Sequence, residues 1–171
     1  MLGYMPTIND EVLNDRFDKI RYLIGDYKLV VYSAFQESLG WIKSGEGSSS
    51  VIYENSFIRE NVEVIKNNNK ITMHNTLAFN VGKDTFKLLT LGNNTGEMDV
   101  FNGVISDEVL TFCSIQQEMK TDNEDDGSLC IKLIYKRISE IENELVVGSS
   151  KDKGKTWRPI LKTVYKRKNT L

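Results

Sequence analysis

From residue 27 to residue 167 the sequence alternates between apolar and polar residues with a period of two, and this alternation limits the possible folds more than any other feature. Such alternation gives each β-strand one apolar face, whereas a helix needs a period near 3.6. The alternating stretches are rich in β-branched and aromatic residues and are separated by polar turns. We count about ten of them, which predicts a mainly β protein. They cover residues 27–35, 51–58, 61–65, 70–79, 85–91, 98–103, 109–117, 129–138, 142–149 and 157–167.

The links between these stretches are short, as at residues 66–69, 81–84 and 106–108. A parallel pair of strands needs a crossover of a dozen or more residues, and the sequence offers no second helical segment to make one. The links therefore predict antiparallel neighbours in an up-and-down order. Closing so many strands into a barrel removes the exposed edges of the sheet, so we expect a single closed barrel.

One helix is predicted before the first strand. Thr7 and Asp10 form a start that resembles a capping box, and Gly25 is a typical residue at a helix C-terminus. Between them, apolar residues recur at helical spacing: Val12, Leu13, Phe17, Ile20 and Ile24.

At 171 residues the chain has the size of one domain. We expect an N-terminal segment over residues 1–9, a single barrel domain with its N-terminal helix over residues 10–168, and a C-terminal tail over residues 169–171. Lys and Arg number 22 against 24 Asp and Glu, a net charge of -2, so a polyanion such as nucleic acid is not an expected partner.

Neither a membrane span nor a signal peptide is expected. No window approaches the roughly 20 apolar residues of a membrane helix. The first ten residues also lack the basic and apolar regions of a signal peptide. We therefore expect a cytoplasmic protein in which Cys113 and Cys130 are reduced thiols.

Residues 150–157 fit the pattern S-x-D-x-G-x-T-W at every specified position. The carboxylate in this pattern can accept backbone N–H bonds, the glycine can take a positive φ, and the tryptophan can lie across the hairpin. The segment resembles the Asp box of sialidase-type propellers, which repeats from blade to blade. One copy cannot build a propeller, so we interpret the segment as a structural turn formed by Ser150, Asp152, Gly154, Thr156 and Trp157.

Three motifs together resemble a larger family. Gly25-Asp26-Tyr27 opens the first strand, Phe101-Asn102-Gly103 lies in the middle of the chain, and the Asp-box segment precedes a last strand ending in Val164-Tyr165-Lys166-Arg167-Lys168. This order resembles a mostly bacterial family of unknown function whose members fold as lipocalin-like (calycin) barrels, although they usually carry Trp where this chain has Tyr27. The resemblance implies an up-and-down antiparallel calycin-like barrel and no settled activity.

Neither a cofactor nor a metal is expected. Haem-binding relatives of this barrel need a proximal histidine, typically late in the chain, whereas the one histidine here is His74 on the fourth predicted strand. His74 alternates with Met73 and falls on the more polar face. The common zinc, redox, hydrolase and nucleotide motifs do not occur. Residues 122–127 lack the glutamate that completes a calcium loop, so we interpret them as a hairpin loop.

Alternation places two Tyr-x-Arg pairs on inward faces: Tyr135 with Arg137, and Tyr165 with Arg167. In a meander their strands run the same way, so the two pairs converge at one end of the barrel. Fatty-acid carriers hold a carboxylate with an Arg and a Tyr two residues apart, in the reverse order. These four residues are therefore candidate ligand-binding residues, together with Trp41 as a lid aromatic.

Each candidate also has a structural interpretation. An arginine on the last strand of such barrels commonly packs over the aromatic residue that opens the first strand, which predicts a closure formed by Gly25, Tyr27 and Arg167. Arg137 can instead pair with an acidic neighbour or reach solvent, and Trp41 can belong to the core of the second strand.

The sequence favours a binding protein for a small apolar or amphipathic anionic ligand, such as a fatty acid, held inside the barrel. One alternative is a homodimeric scaffold with a filled barrel and an outer apolar patch at Ile134, Val164 and Cys130. The other is a barrel enzyme with Glu54 or Glu63 and a tyrosine as acid and base. We favour binding over catalysis because the sequence contains no catalytic signature.

Overall fold

The chain forms a closed barrel of ten antiparallel strands in up-and-down order, and β1 pairs with β10 to complete it. The strands are β1 (Gly25–Ala34), β2 (Trp41–Glu54), β3 (Phe57–Lys66), β4 (Asn69–Asn80), β5 (Thr85–Gly92), β6 (Met98–Ser106), β7 (Val109–Ser114), β8 (Cys130–Arg137), β9 (Glu142–Ser150) and β10 (Arg158–Arg167). The mainly β barrel predicted from alternation is confirmed. The computed structural model describes residues 10–34, 40–54, 56–93, 96, 98–114 and 129–168, so Thr7 and the loop at residues 122–127 lie outside the described residues.

The predicted helix is shorter than expected. Helix α1 (Asp10–Asp18) is followed by a separate 3-10 turn, Arg21–Leu23. The N–H groups of Ile20 and Leu23 donate to carbonyls three residues earlier, a tighter pattern than an α-helix can continue. Gly25 is therefore the first residue of β1 rather than a helix cap. No helix in the described part of the chain is long and apolar enough to cross a membrane.

Helix α1 and the 3-10 turn together cover one end of the barrel, and we call them the cap. Phe17 packs edge-on against Tyr53 and Phe86, while Ile20 is completely buried. Arg16 forms an ion pair of 2.7 Å with Asp84 in the link between β4 and β5. The cap therefore removes apolar side chains from water and seals the barrel end at which β2, β4, β6 and β8 finish.

The second strand is longer than predicted. Strand β2 starts at Trp41, so residues 41–50, which precede the second predicted strand, belong to it. A side chain at Gly47 would collide with the backbone of Glu63 on β3, so a small residue is needed where the two strands approach closely. The turn between β2 and β3 lies around Ser56 rather than at residues 59–60.

Alternation orients the side chains as expected on most strands. On β8, Ile131 and Leu133 pack against the core and Tyr135 is buried, as the inward assignment requires. The largest fully buried side chains come from β1, β5, β7 and the cap: Tyr27, Phe86, Phe112, Ile20, Leu29 and Leu110. Packing against several strands at once, they fill most of the interior and leave a small cavity beneath the cap.

Candidate ligand site inside the barrel

The cavity beneath the cap has a volume of about 30 Å³. Its apolar wall is formed by Val51, Ile58, Leu77, Leu88, Leu110 and Phe112. Leu23 also lines the cavity and is half-buried, and it belongs to the cap rather than to a strand. A cavity of this size has room for about two or three water-sized groups, since one water needs roughly 10–15 Å³ of such space. Leu23 is therefore the part of the apolar wall that the cap, and not a barrel strand, supplies.

A buried glutamate provides the polar side of the cavity. Glu60 points inward from β3 and is only 8% exposed. The Ser49 hydroxyl donates to its Oε1 at 2.7 Å, and the Asn75 Nδ2 donates to its Oε2 at 2.8 Å. The Tyr165 hydroxyl is a third neutral donor close to this carboxyl group, which contributes to the raised pKa of Tyr165. Neutral donors from three other strands therefore surround Glu60.

The Asn75 side chain leaves one acceptor unused. Asn75 lies directly opposite Glu60 in the β3–β4 register and commits its Nδ2 to that carboxyl group. Its Oδ1 is buried and has no hydrogen-bond partner. A buried unsatisfied polar atom costs roughly 1–3 kcal/mol, so this oxygen favours an occupant that carries a hydrogen-bond donor.

Two buried tyrosines complete the polar side. Burial raises the pKa of Tyr135 and of Tyr165 well above the usual value near 10, and the neighbouring Glu60 raises both further. Both phenols are therefore neutral and can donate hydrogen bonds over the whole physiological range. The Tyr135 ring packs edge-on against Phe112, which keeps the phenol in place at the cavity wall.

The predicted closure residues lie next to one another at the capped end. The Arg167 guanidinium lies 5.3 Å from the centre of the Tyr27 ring and donates to the Tyr27 hydroxyl at 3.1 Å and to the Tyr22 carbonyl at 3.2 Å. The Asn143 amide donates to the same two oxygens. Gly25 has φ +147°, and a Cβ there would lie 2.5 Å from Arg167 Nη1. This cluster ties the start of β1 to the end of β10 and to the cap.

Burial raises the pKa of Tyr27, and the Arg167 charge partly opposes that effect. The Tyr27 hydroxyl itself donates to the Tyr22 carbonyl at 2.9 Å. Arg167 is thus engaged with the closure cluster and does not line the cavity.

Arg137 lies outside the barrel, contrary to the inward position predicted for it. It is exposed and, with Tyr22 and Glu108, lines a groove on the outer side of the cap. Arg137 is the last residue of β8, so its side chain passes beyond the rim that Tyr135 still faces. The two Tyr-x-Arg pairs therefore bring two phenols, but not two guanidiniums, to the cavity.

The other sequence candidates also lie away from the cavity. Trp41 is half-buried at the opposite end of the barrel, where Lys162 Nζ is 5.1 Å from its ring. Glu54 and Glu63, considered as catalytic acids or bases, form exposed ion pairs with Arg59 and Lys70. On the outer face, Ile134 and Val164 are half-buried and Cys130 is buried, while His74 is exposed and bonds to Asn61.

The Asp-box segment forms the turn between β9 and β10, at the end opposite the cap. Asp152 Oδ1 accepts from the Thr156 N–H at 2.8 Å and from the Ser150 hydroxyl at 2.7 Å, while its Oδ2 accepts from the Thr156 hydroxyl at 2.5 Å. These bonds, led by the one from the Thr156 hydroxyl, hold the pKa of Asp152 well below its usual value. Gly154 takes φ +84° beside Trp157, so the contacts are those of a stabilised turn.

Sequence reasoning did not select Glu60, Asn75 or Ser49. The signal was present for Glu60, because Ile58, Glu60 and Val62 occupy every second position and the apolar two mark the inward face. Arg59 and Glu60 are consecutive charged residues between two predicted strands, and this pair conceals the alternation. Once β3 is continuous, a glutamate among inward valines and isoleucines is the exceptional residue.

Comparison with known proteins supports the fold. No protein-family model matches the sequence, and none of the curated proteins compared with it matches either. The chain is similar to the crystal structure of Rv2717c from M. tuberculosis, with a TM-score of 0.57 and 11% sequence identity over 90% of this chain and 97% of that chain. At this identity the likeness shows the barrel fold alone. The resemblance to a bacterial lipocalin-like family stays a prediction.

Proposed function

We infer that the protein binds a small, mainly apolar molecule in the cavity of its barrel and that a hydrogen-bond donor on this molecule bonds to the polar side. The observation that carries this proposal is the buried Oδ1 of Asn75, a residue that lines the cavity, because this oxygen has no hydrogen-bond partner. An occupant with a donor group removes the cost of that unpaired acceptor, and its apolar part covers the leucine wall.

The size of the cavity limits the ligand. An apolar cavity of about 150 Å³ binds benzene, whereas this one measures about 30 Å³. A fatty acid does not fit, so the ligand has only a few non-hydrogen atoms unless the cap opens. Leu23 is the residue whose displacement would lengthen the cavity, since it is half-buried and lies outside the strands.

The charge of the cavity also differs from the one expected from the sequence. We predicted an anionic ligand held by Arg137 and Arg167, but neither arginine lines the cavity and Glu60 does. Placing an anion next to a buried carboxyl group is unfavourable because little water is present to screen the two charges. The ligand that we propose therefore carries a hydrogen-bond donor instead of an anionic group.

The test is a titration followed by NMR of the leucine, valine and isoleucine methyl groups. Adding methanol, ethanol and 1-propanol separately should produce saturable shifts at Leu77, Leu88 and Leu110. The best small ligands gain about 1.5 kcal/mol per non-hydrogen atom, so dissociation constants in the millimolar range are expected. No saturation at any of these methyl groups up to tens of millimolar would show that the cavity does not bind small molecules.

Two variants test the location of binding. Leu77→Phe fills the cavity and should abolish the saturable shifts, whereas Val104→Phe on the outer surface, where Val104 is 58% exposed, should leave them unchanged. Leu23→Ala removes three carbon atoms from the wall and should favour 1-propanol over methanol more strongly than the parent protein does. Binding that survives Leu77→Phe would place the site elsewhere.

A further inference from the structure

We propose that the polar side of the cavity recognises a primary ammonium group, so that the ligand class is a small alkylamine. This inference rests on the proposed function, because it names the chemistry of the ligand that the cavity takes. It follows from the free acceptors on Asn75 and Glu60, from the lack of a cationic partner for Glu60 among the described residues and from the size of the cavity.

Glu60 and Asn75 both have hydrogen-bond acceptor positions that no group uses within the described residues. A carboxyl group has two acceptor oxygens, and each oxygen of Glu60 accepts one hydrogen bond, from Ser49 at 2.7 Å and from Asn75 at 2.8 Å, which leaves acceptor positions unused. The Asn75 Oδ1 is unused and belongs to the amide whose Nδ2 lies 2.8 Å from the Glu60 carboxyl group. Free acceptor positions on two groups, Asn75 and Glu60, therefore lie close together. A hydroxyl group has one hydrogen to donate, whereas a primary ammonium has three and can bond to both acceptors at once.

The orientation of the Asn75 amide determines that its unused polar atom is an acceptor. Were the amide turned round, its oxygen would face the Glu60 oxygen, and two acceptors would oppose each other at 2.8 Å. The hydrogen bond to Glu60 thus determines that the oxygen, and not the nitrogen, of Asn75 is left without a partner.

The groups around Glu60 also favour a cationic ligand. Every group that donates to Glu60 is neutral, and no ion pair within the described ranges includes it. On the outer surface, by contrast, Glu54 pairs with Arg59 and Glu63 pairs with Lys70. A buried carboxylate without a cation is unfavourable, and an ammonium ion would supply the opposite charge that the fold does not provide.

The size of the cavity selects the smallest members of the class. About 30 Å³ accommodates an ammonium nitrogen with one or two carbon atoms, and the carbons would then contact Leu77, Leu88 and Phe112. A guanidinium group is broader and carries five N–H donors, more than the free acceptors on Asn75 and Glu60 can satisfy. The cavity therefore fits methylammonium or ethylammonium better than an arginine-like ligand.

The test compares three probes of nearly equal size on the unmodified protein at pH 7: ethylammonium chloride, ethanol and sodium acetate, each titrated against the methyl NMR signals. Ethylammonium should bind at least tenfold more tightly than ethanol, and acetate should not bind. Sodium chloride at the same concentrations is the control for ionic strength.

Variants then assign the preference to the carboxyl group. Glu60→Gln keeps the shape but removes the charge, so it should reduce ethylammonium affinity at least tenfold while ethanol affinity changes less than twofold. Glu144→Gln removes a carboxylate that faces Lys162 at 3.8 Å and does not line the cavity, so it should change neither affinity. If Glu60→Gln does not fold, the three-probe comparison on the unmodified protein decides alone.

The outcomes separate this inference from the proposed function. Equal binding of ethanol and ethylammonium, or tighter binding of acetate, would overturn the ammonium inference and leave small-molecule binding in place. Absence of saturable binding by any of the probes would overturn both. A preference for ethylammonium that persists in Glu60→Gln would place the cation elsewhere and also overturn the inference.

Discussion

The segments Tyr135-Lys136-Arg137 and Tyr165-Lys166-Arg167 have the same residue order and lie at the same end of the barrel, yet their arginines have different surroundings. Both tyrosines are buried at the cavity. Arg167 packs over Tyr27 and donates to Tyr22, whereas Arg137 is exposed on the outer side of the cap.

The difference comes from the neighbouring strand. Arg167 lies directly opposite Tyr27 in the β1–β10 register, so an aromatic face and a hydroxyl are within reach. Arg137 lies opposite Asn143 in the β8–β9 register, and the Asn143 amide is already committed to Tyr27 and Tyr22. Identical local sequence thus gives a closure residue in one strand and a surface residue in the other, because cross-strand partners determine what a strand end can contact.

The largest expected effect is the loss of the closure contact. Arg167→Ala removes two hydrogen bonds and the contact with the Tyr27 ring, and should lower the free energy of unfolding by about 2–3 kcal/mol. Urea denaturation at neutral pH measures this change. Arg137→Ala is the matched control and should cost less than about 0.5 kcal/mol, as exposed substitutions usually do. If both variants lose the same free energy of unfolding, Arg167 does not stabilise the fold more than Arg137 does.

The next effect concerns Tyr135 and Tyr165, which are both buried at the cavity. Their pKa values are raised in the folded protein, so above about pH 10 the unfolded chain releases phenol protons that the folded protein retains. Stability is therefore unaffected by these groups below pH 10. Above it, each tyrosine lowers the free energy of unfolding by up to about 1.4 kcal/mol per pH unit.

Urea denaturation between pH 8 and pH 11.5 tests whether both phenols keep their protons in the folded protein. Tyr135→Phe and Tyr165→Phe should each make the alkaline decline less steep by a similar amount. An unchanged slope in one variant would show that this phenol is accessible in the folded state and that the two pairs differ at the tyrosine as well.

The smallest of these effects is expected at the partner of Arg167. Tyr27→Phe keeps the ring beneath the guanidinium but removes the hydroxyl that bonds to Tyr22, Asn143 and Arg167. Because Asn143 and Arg167 retain their bonds to the Tyr22 carbonyl, the loss should be about 1 kcal/mol. A loss as large as that of Arg167→Ala, measured by the same urea denaturation, would assign the closure to the hydroxyl rather than to the arginine.

Alternation predicted the strands well where side chains differ strongly in polarity. It did not reveal the first part of β2, because serine and glycine at residues 44–48 carry no apolar period. It also interrupted β3 at residues 59–60, where consecutive charged residues resemble a turn although Glu60 points into the core. In both places the strand is held by pairing with neighbours distant in the sequence.

The candidate site was predictable only in part. Tyr135 and Tyr165 were selected from their inward positions, and both line the cavity. Glu60 and Asn75 were not selected, since a polar residue on an inward face is recognisable only when its hydrogen-bond partners are known. Ser49 and Asn75, which donate to Glu60, lie on other strands, 11 and 15 residues away along the chain.

The amino-acid sequence alone determined that the chain forms an antiparallel barrel with its apolar face inward, because burial of one face per strand and short links leave few other arrangements. Tertiary structure decided which polar groups meet inside the barrel. Register across the closed sheet places Glu60 opposite Asn75 and Arg167 opposite Tyr27, and a small cavity lies beneath Leu23. These contacts depend on strand pairing over long sequence separations, and no local pattern of residues specifies them.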